Sequence, residues 1–253
     1  MNDPVDLLIV ATGRMYAYSG GGAVMADKLI ESVERTCEQG SYRLRVAESD
    51  GEPWAVTVNR LLAETTGPVV HLDEGGYCGV PGWLETFRQA QDLLRREALL
   101  CGKVSFPQRD EAGVDTDSYQ PGRLHSAGLD LIPGGGCCFA HYDRSDPGWY
   151  RQFRDVACAG WDCVWLNRAF LDECGGLDES FSAGAHAAAV DLSLRAWRGG
   201  WTVGYVPGPH TLHYGLPARA EEPGGDDWAG LLEKQTVEFY EHIRQDRRSV
   251  VPR

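Results

Sequence analysis

Two histidines and a few carboxylates, all beside turn signals, are the residues of this chain that can do chemistry. His213 follows a strand-like run in which Val203, Tyr205 and Pro207 alternate, and it lies in the loop beyond, where ligand-binding residues collect. His186 carries an imidazole whose intrinsic pKa of about 6.5 suits proton transfer; an ordinary surface histidine is the plainer alternative. Asp191 stands four residues before Arg195 on a short amphipathic stretch, a spacing that also makes a structural ion pair. Thr12 and Arg14 follow the apolar run Val5 to Ala11, at the carboxyl end of a buried parallel strand, where doubly wound sheets bind ligands. Glu48 and Asp50 close a second strand, Tyr42 to Val46, in a polar turn. Gly20-Gly21-Gly22 matches neither the dinucleotide fingerprint nor the P-loop and reads as a loop.

The elements that must position these residues follow from periodicity. Helices are expected from about Ala23 to Glu38, from Trp54 to Thr66 (carrying Asn59) and from Gln89 to Leu100. Val69 to Leu72 reads as a strand, followed by the acidic turn Asp73-Glu74-Gly75-Gly76. Gly102 to Pro107 reads as another strand, and Asp110 to Gly128 as a polar loop with turn signals at Ala112-Gly113, Pro121-Gly122 and Ala127-Gly128. Gly199-Gly200 stops the helix that carries Asp191 and Arg195. A last helix is expected from Trp228 to Arg244, its apolar side chains packing on the core or on a partner subunit.

Three blocks in order carry a family resemblance. They are Gly175-Gly176-Leu177-Asp178-Glu179 with Phe181, then Asp191-Leu192-Ser193-Leu194-Arg195, then Gly200-Trp201 with Val203, Tyr205, Val206, Pro207 and His213. Together they resemble the C-terminal half of the catalytic domain of family 2 glycosyltransferases, inverting enzymes of the GT-A fold, with rhamnosyltransferase-like members most similar. The stretch from Val69 through Asp73 to Pro81-Gly82-Trp83-Leu84 resembles the same family's metal-binding block, and Val156 to Val164 its strand and turn before the acidic helix. Arg144 to Trp149 looks like its acceptor-side loop.

The resemblance implies an α/β GT-A fold, a mostly parallel twisted sheet flanked by helices. It implies transfer of a sugar, with inversion, from a UDP-, dTDP- or GDP-linked donor to an acceptor hydroxyl on a glycan or small molecule, in glycan or polysaccharide biosynthesis. Thr12, Arg14, Glu48, Asp50 and Asn59 would hold the nucleotide, and Trp161 and Asp162 would meet the donor or acceptor sugar. Asp73 and His213 would hold Mn2+ or Mg2+. Two positions depart from the pattern. Gly75 stands where the second carboxylate of an Asp-x-Asp is expected, and Ala188-Ala189 stand where an acidic pair carries the general base. Alanine accepts no proton, so Asp191 or His186 takes that role, or the domain binds sugar nucleotide or glycan without efficient turnover. A nucleotide-binding α/β domain of other chemistry is a third reading.

Composition narrows the field. A net charge of −13 argues against nonspecific nucleic-acid binding. No apolar run is long enough to insert in a membrane, and no signal peptide opens the sequence, so a cytoplasmic enzyme is expected. Eight cysteines without Cys-x-x-Cys spacing read as free thiols. The length suits one domain over residues 1–220, with a nucleotide half to about 100 and an acceptor half from 101. An acidic linker and helix would occupy 221–253, where a homodimer contact is one expectation.

Overall fold

The computed structural model describes residues 3–18, 21–49, 51–109, 111, 115–140, 142, 144–145, 150–181, 185–214 and 226–247. In chain order the strands are β1 (Val5–Ala11), β2 (Met15–Tyr18), β3 (Gly21–Val24), β4 (Tyr42–Glu48), β5 (Val69–Leu72), β6 (Gly76–Cys78) and β7 (Glu97–Arg109). They continue as β8 (Asp115–Ser126), β9 (Leu129–Leu131), β10 (Cys137–Phe139), β11 (Arg144–Ser145), β12 (Arg154–Asp155), β13 (Cys163–Leu166) and β14 (Thr202–His213). The helices are α1 (Met25–Thr36), α2 (Trp54–Ala63), α3 (Trp83–Leu94), α4 (Arg168–Cys174), α5 (Ala185–Arg198), α6 (Asp226–Gln235) and α7 (Val237–Asp246).

β1 is buried along nearly its whole length because both its faces are covered. Val5, Leu7 and Ile9 point to one side, into a core with Leu29 and Val33 of α1 and Phe87 of α3. Leu8 and Val10 point to the other, into the core that holds α2, α4 and α5. Parallel neighbours β4 and β5 flank β1. The sheet continues in the order β11-β8-β7-β13-β5-β1-β4, with β14 parallel to β7 and carrying β6 and β12. β13 runs antiparallel between β5 and β7, so the sheet is mixed. The α/β class expected from the sequence is the one observed.

Helix α5 is buried on nearly every side: Ala187, Ala188, Ala189, Val190, Leu192, Leu194 and Ala196 are all in the core. That explains its alanines, since a helix covered all round needs apolar and compact residues. The cover comes from the C-terminal helices, whose Trp228, Leu231, Tyr240 and Ile243 enter the same core.

Several boundaries differ from the sequence expectation. The helix expected over Gln89 to Leu100 ends at Leu94, where Arg95 turns with φ 35, and Glu97 to Leu100 open β7. The run Ala98-Leu99-Leu100-Cys101 suits a helix or a strand by pattern, and pairing with β13 and β14 decides it. The polar loop expected over Asp110 to Gly128 is largely β8, an irregular strand whose ladder with β7 shifts register at three points. Residues 156 to 162 form a connection rather than a strand, tied to its neighbours by an isolated bridge between Leu129 and Cys158 and by backbone bonds from the Val156 amide to the Val203 carbonyl and from the Asp73 amide to the Asp162 carbonyl. The glycine stretch is partly strand, as Gly21–Val24 pairs with β2, and α1 begins at Met25. The tail helix is two helices, broken at Thr236 (φ 60), whose side chain accepts from the Phe239 amide. His213 is the last residue of β14, opposite Gly76, not a loop residue. The described cysteines are all free, and no helix among the described residues is long and apolar enough to cross a membrane.

Candidate functional site

Three chain segments are tied together at the carboxyl end of β5. The Asp73 amide donates to the Asp162 carbonyl (3.0 Å), and the Gly76 amide donates to the Asp73 carbonyl (2.8 Å). The Tyr214 amide donates to the Gly75 carbonyl (2.8 Å), while β6 pairs with the end of β14. These backbone bonds set three side chains facing one another. His213 Nε2 lies 3.4 Å from Asp73 Oδ1 and 3.5 Å from Asp162 Oδ1. The Gly75 amide also donates to Asp73 Oδ1 at 2.8 Å.

The electrostatics follow from these contacts. Burial pushes the Asp73 carboxyl up, but its bond to His213, the His213 charge and the Gly75 amide outweigh that and hold it well below the usual carboxylate range. Burial pulls the His213 imidazole down, and the Asp73 bond with the Asp162 and Asp73 charges more than reverses it, raising its pKa. Behind His213 lies His125, its ring stacked at 5.0 Å and 15°. His125 tilts against Phe139 (4.5 Å), and Phe139 meets the edge of His186 (5.4 Å). Burial pushes His125 down to about 4, opposed by the Asp162 charge.

Glu74 faces away from this cluster. It is buried, accepts from the Thr12 amide (2.7 Å), from the Thr12 hydroxyl and from Arg14 Nε (2.5 Å), and so fixes the loop after β1. Arg14 stays largely exposed, with one guanidinium nitrogen 3.8 Å from Asp73. The loop after β1 thereby brings a cation to the mouth of the site.

Of the residues expected from the sequence, Thr12, Arg14, Asp73, Asp162 and His213 come together. Glu48 is exposed at the end of β4, opposite Ala11. Asp50 lies outside the described residues. Asn59 instead clasps the 174–181 turn: its amide donates to the Leu177 carbonyl (2.8 Å) and to Glu179 (2.9 Å), and its oxygen accepts from the Leu177 amide (2.8 Å). Trp161 is a core residue, edge-on to Trp54 and His71. His186 is half-buried at the far end of the ring series. Asp191 is buried and held on both oxygens, by Arg195 Nε (2.8 Å) and by the Gln235 side-chain amide (2.6 Å). Sequence reasoning passed over Glu74 as an anchor and His125 altogether. Glu74 had one signal, its place beside Asp73; His125 had none, lying in a stretch that read as loop.

Among the described residues no three His, Cys, Asp or Glu side chains form a ready-made metal group. The donors still suit a hard divalent cation. Two cis ligands about 2.1 Å from such an ion stand about 3 Å apart, close to the 3.4 Å between Asp73 and His213. Asp162 Oδ2 is buried without a hydrogen-bond partner, an atom that a cation or a ligand hydroxyl would satisfy. Residues 73 and 213 would be its ligands, with phosphate oxygens filling the shell.

No protein-family model and no curated protein sequence matches this chain. Solved structures do match. GalNAc-T7 with UDP, GalNAc and Mn2+ superposes with a TM-score of 0.69 at 12% identity, over 98% of this chain and 51% of that one. A197 from STIV superposes with a TM-score of 0.48 at 11% identity, over 87% of this chain and 90% of that one. This chain therefore spans about half the length of the GalNAc-T7 chain. The likeness to GalNAc-T7, together with the α/β layering and the mixed sheet, identifies the fold as that of a GT-A glycosyltransferase domain.

Proposed function

We propose that this chain is a glycosyltransferase that moves a sugar from a nucleoside-diphosphate donor to an acceptor hydroxyl with the help of Mn2+ or Mg2+. The observation that carries the reading is the meeting of Asp73, Asp162 and His213 at the carboxyl end of β5, beside the Arg14 loop. Ligands of open α/β sheets bind at that end. The GalNAc-T7 structure of the same fold holds UDP, GalNAc and Mn2+, which supports a UDP-linked donor first among UDP-, dTDP- and GDP-sugars.

The residues divide the work by chemistry. A bound divalent ion offsets charge developing on the leaving diphosphate. Asp73 and His213 would hold it, and Arg14, fixed by Glu74, adds a second positive group at the mouth. The sheet end and the 73–76 turn exclude water from one side of the donor. Glu48, exposed opposite Ala11, would accept from a ribose or a base, and a glycan or small-molecule acceptor would enter from the side of Phe139 and His186.

Inverting transfer needs a base for the acceptor proton. Ala188 and Ala189 are fully buried, and both Asp191 oxygens are engaged. His186 is then the base of this proposal, and Asp191 a structural carboxylate. The same observation favours a second reading, a domain that binds sugar nucleotide or glycan with little turnover.

One experiment separates these. Release of nucleoside diphosphate is measured from UDP-, dTDP- and GDP-sugars, with and without Mn2+, alongside donor binding by calorimetry. Metal-dependent release supports the transferase, binding without release supports the second reading, and absence of both sinks the two together. The anomeric configuration of the product, read by NMR, tests inversion.

A further inference from the structure

The turn that carries Asp73 offers a cation one ligand only. Glu74 is turned inward and committed to Thr12 and Arg14. Gly75 has no side chain, and a Cβ built there would stand 3.0 Å from Asp73 Oδ1 and 3.2 Å from His213 Nε2. Position 75 therefore faces the cluster and brings its amide to Asp73 but no side-chain ligand. A second carboxylate reaches the same imidazole from elsewhere in the sheet. Asp162, immediately before β13, sits with Oδ1 3.5 Å from His213 Nε2. Its residue is only 8% exposed, and its other oxygen has no hydrogen-bond partner.

A buried carboxylate persists where it is paired or coordinates a metal. One imidazolium cannot neutralise both Asp73 and Asp162, and Arg14, bound to Glu74 at 2.5 Å, only approaches Asp73, at 3.8 Å. Neutral His213 with two carboxylates gives a donor set of charge −2, the complement of one divalent cation.

We propose that Asp162 is the third protein ligand of the divalent cation, supplying from the start of β13 the carboxylate that the 73–76 turn lacks. This rests on the glycosyltransferase reading above. The three side chains are not a ready-made group; the carboxylates flank His213 at 3.4 and 3.5 Å, and the shell forms by side-chain rotation about Nε2. Oxygen donors with one imidazole favour Mn2+ and Mg2+ over softer ions.

The test is Mn2+ binding to the full chain, freed of metal with a chelator and titrated with and without UDP, with free Mn2+ read by EPR. The wild type is expected to bind, and Asp162→Asn to weaken binding at least tenfold while its metal-free melting temperature holds or rises. Asp178→Asn, which alters a carboxylate paired with Lys234, is expected to bind as the wild type does. In a second variant, Asp162→Cys, a soft thiolate enters the shell, and preference is expected to move from Mn2+ toward Cd2+. Wild-type affinity in Asp162→Asn, or an unchanged ion preference in Asp162→Cys, overturns the assignment of Asp162 and leaves the glycosyltransferase reading standing. A wild-type chain that binds no Mn2+ even with UDP overturns both.

Discussion

The imidazoles of His125 and His213 lie stacked, centroids 5.0 Å apart and planes 15° from parallel, although one is next to last in β8 and the other ends β14. His125 is almost wholly buried, and neither ring nitrogen has a partner. Asp162, His213, His186 and Asp73 are the charged or titratable groups that act on it. With a folded pKa pushed down to about 4, its contribution to stability is complete above about 6.5 and is lost as pH falls toward 4. That loss is about 3 kcal/mol at most, from about 1.4 kcal/mol per unit. His125→Phe keeps the stack and removes the charge. We expect it to match the wild type at pH 8 and to exceed its stability by about 2 kcal/mol at pH 5 in urea titrations. Equal acid sensitivity of the two proteins would count against this account.

Glu74 anchors the loop after β1 from inside. Glu74→Ala leaves the Thr12 amide and Arg14 without their acceptor. We expect a stability loss of about 1–3 kcal/mol from the charge-assisted hydrogen bonds removed, for which water at the exposed donors only partly compensates. Donor affinity should fall with it, because Arg14 is no longer held over Asp73. Calorimetry with UDP checks this, and unchanged affinity would show that Arg14 needs no anchor.

Asn59 and Gly176 are in tight contact. A Cβ at Gly176 would stand 2.3 Å from Asn59 Oδ1, so Gly176→Ala must break the clasp on Leu177. Each of Gly176→Ala and Asn59→Ala is expected to cost about 1–3 kcal/mol. Because they act on one contact, the double mutant should lose less than the sum. Additive losses in thermal melts would place the two residues in separate roles.

Asp191 joins α5 to Gln235 at the end of α6, and through Arg195 to the carbonyls of Cys174 and Gly176. Asp191→Asn leaves a part-buried guanidinium without its counterion, which costs about 3–5 kcal/mol when such a pair is broken. A general base would take about 10²–10⁴ in rate with it. We expect the melting temperature to fall and the folded fraction to keep its turnover. A rate collapse at unchanged stability would restore Asp191 to the chemistry.

Glu97 opens β7 almost fully buried, with Oε2 unpartnered. Burial raises its pKa above the unfolded value. Its contribution is therefore favourable below about 4.5 and is lost as pH rises through the folded pKa. Glu97→Gln should be the more stable protein at pH 7 and lose that advantage below pH 4.5. Denaturant midpoints at the two pH values decide it.

The sequence by itself determined the layers. β1 was legible as a run apolar on both faces, because a strand covered on two sides needs no alternation. The stop of α5 was legible in Gly199-Gly200, where Gly200 takes φ +73, a conformation that favours glycine. Asp73 and His213 were legible as residues beside strand ends. Tertiary structure decided the rest. The Ala98 to Cys101 run became strand because β13 and β14 pair with it, a fact outside any local window. Asp191 faced Gln235 because α6 folds back over α5, more than forty residues later in the chain. Asp162, Asp73, His125 and His213 lie far apart in sequence, and only the sheet, by ending β5, β8 and β14 beside the start of β13, places their side chains within reach of one imidazole.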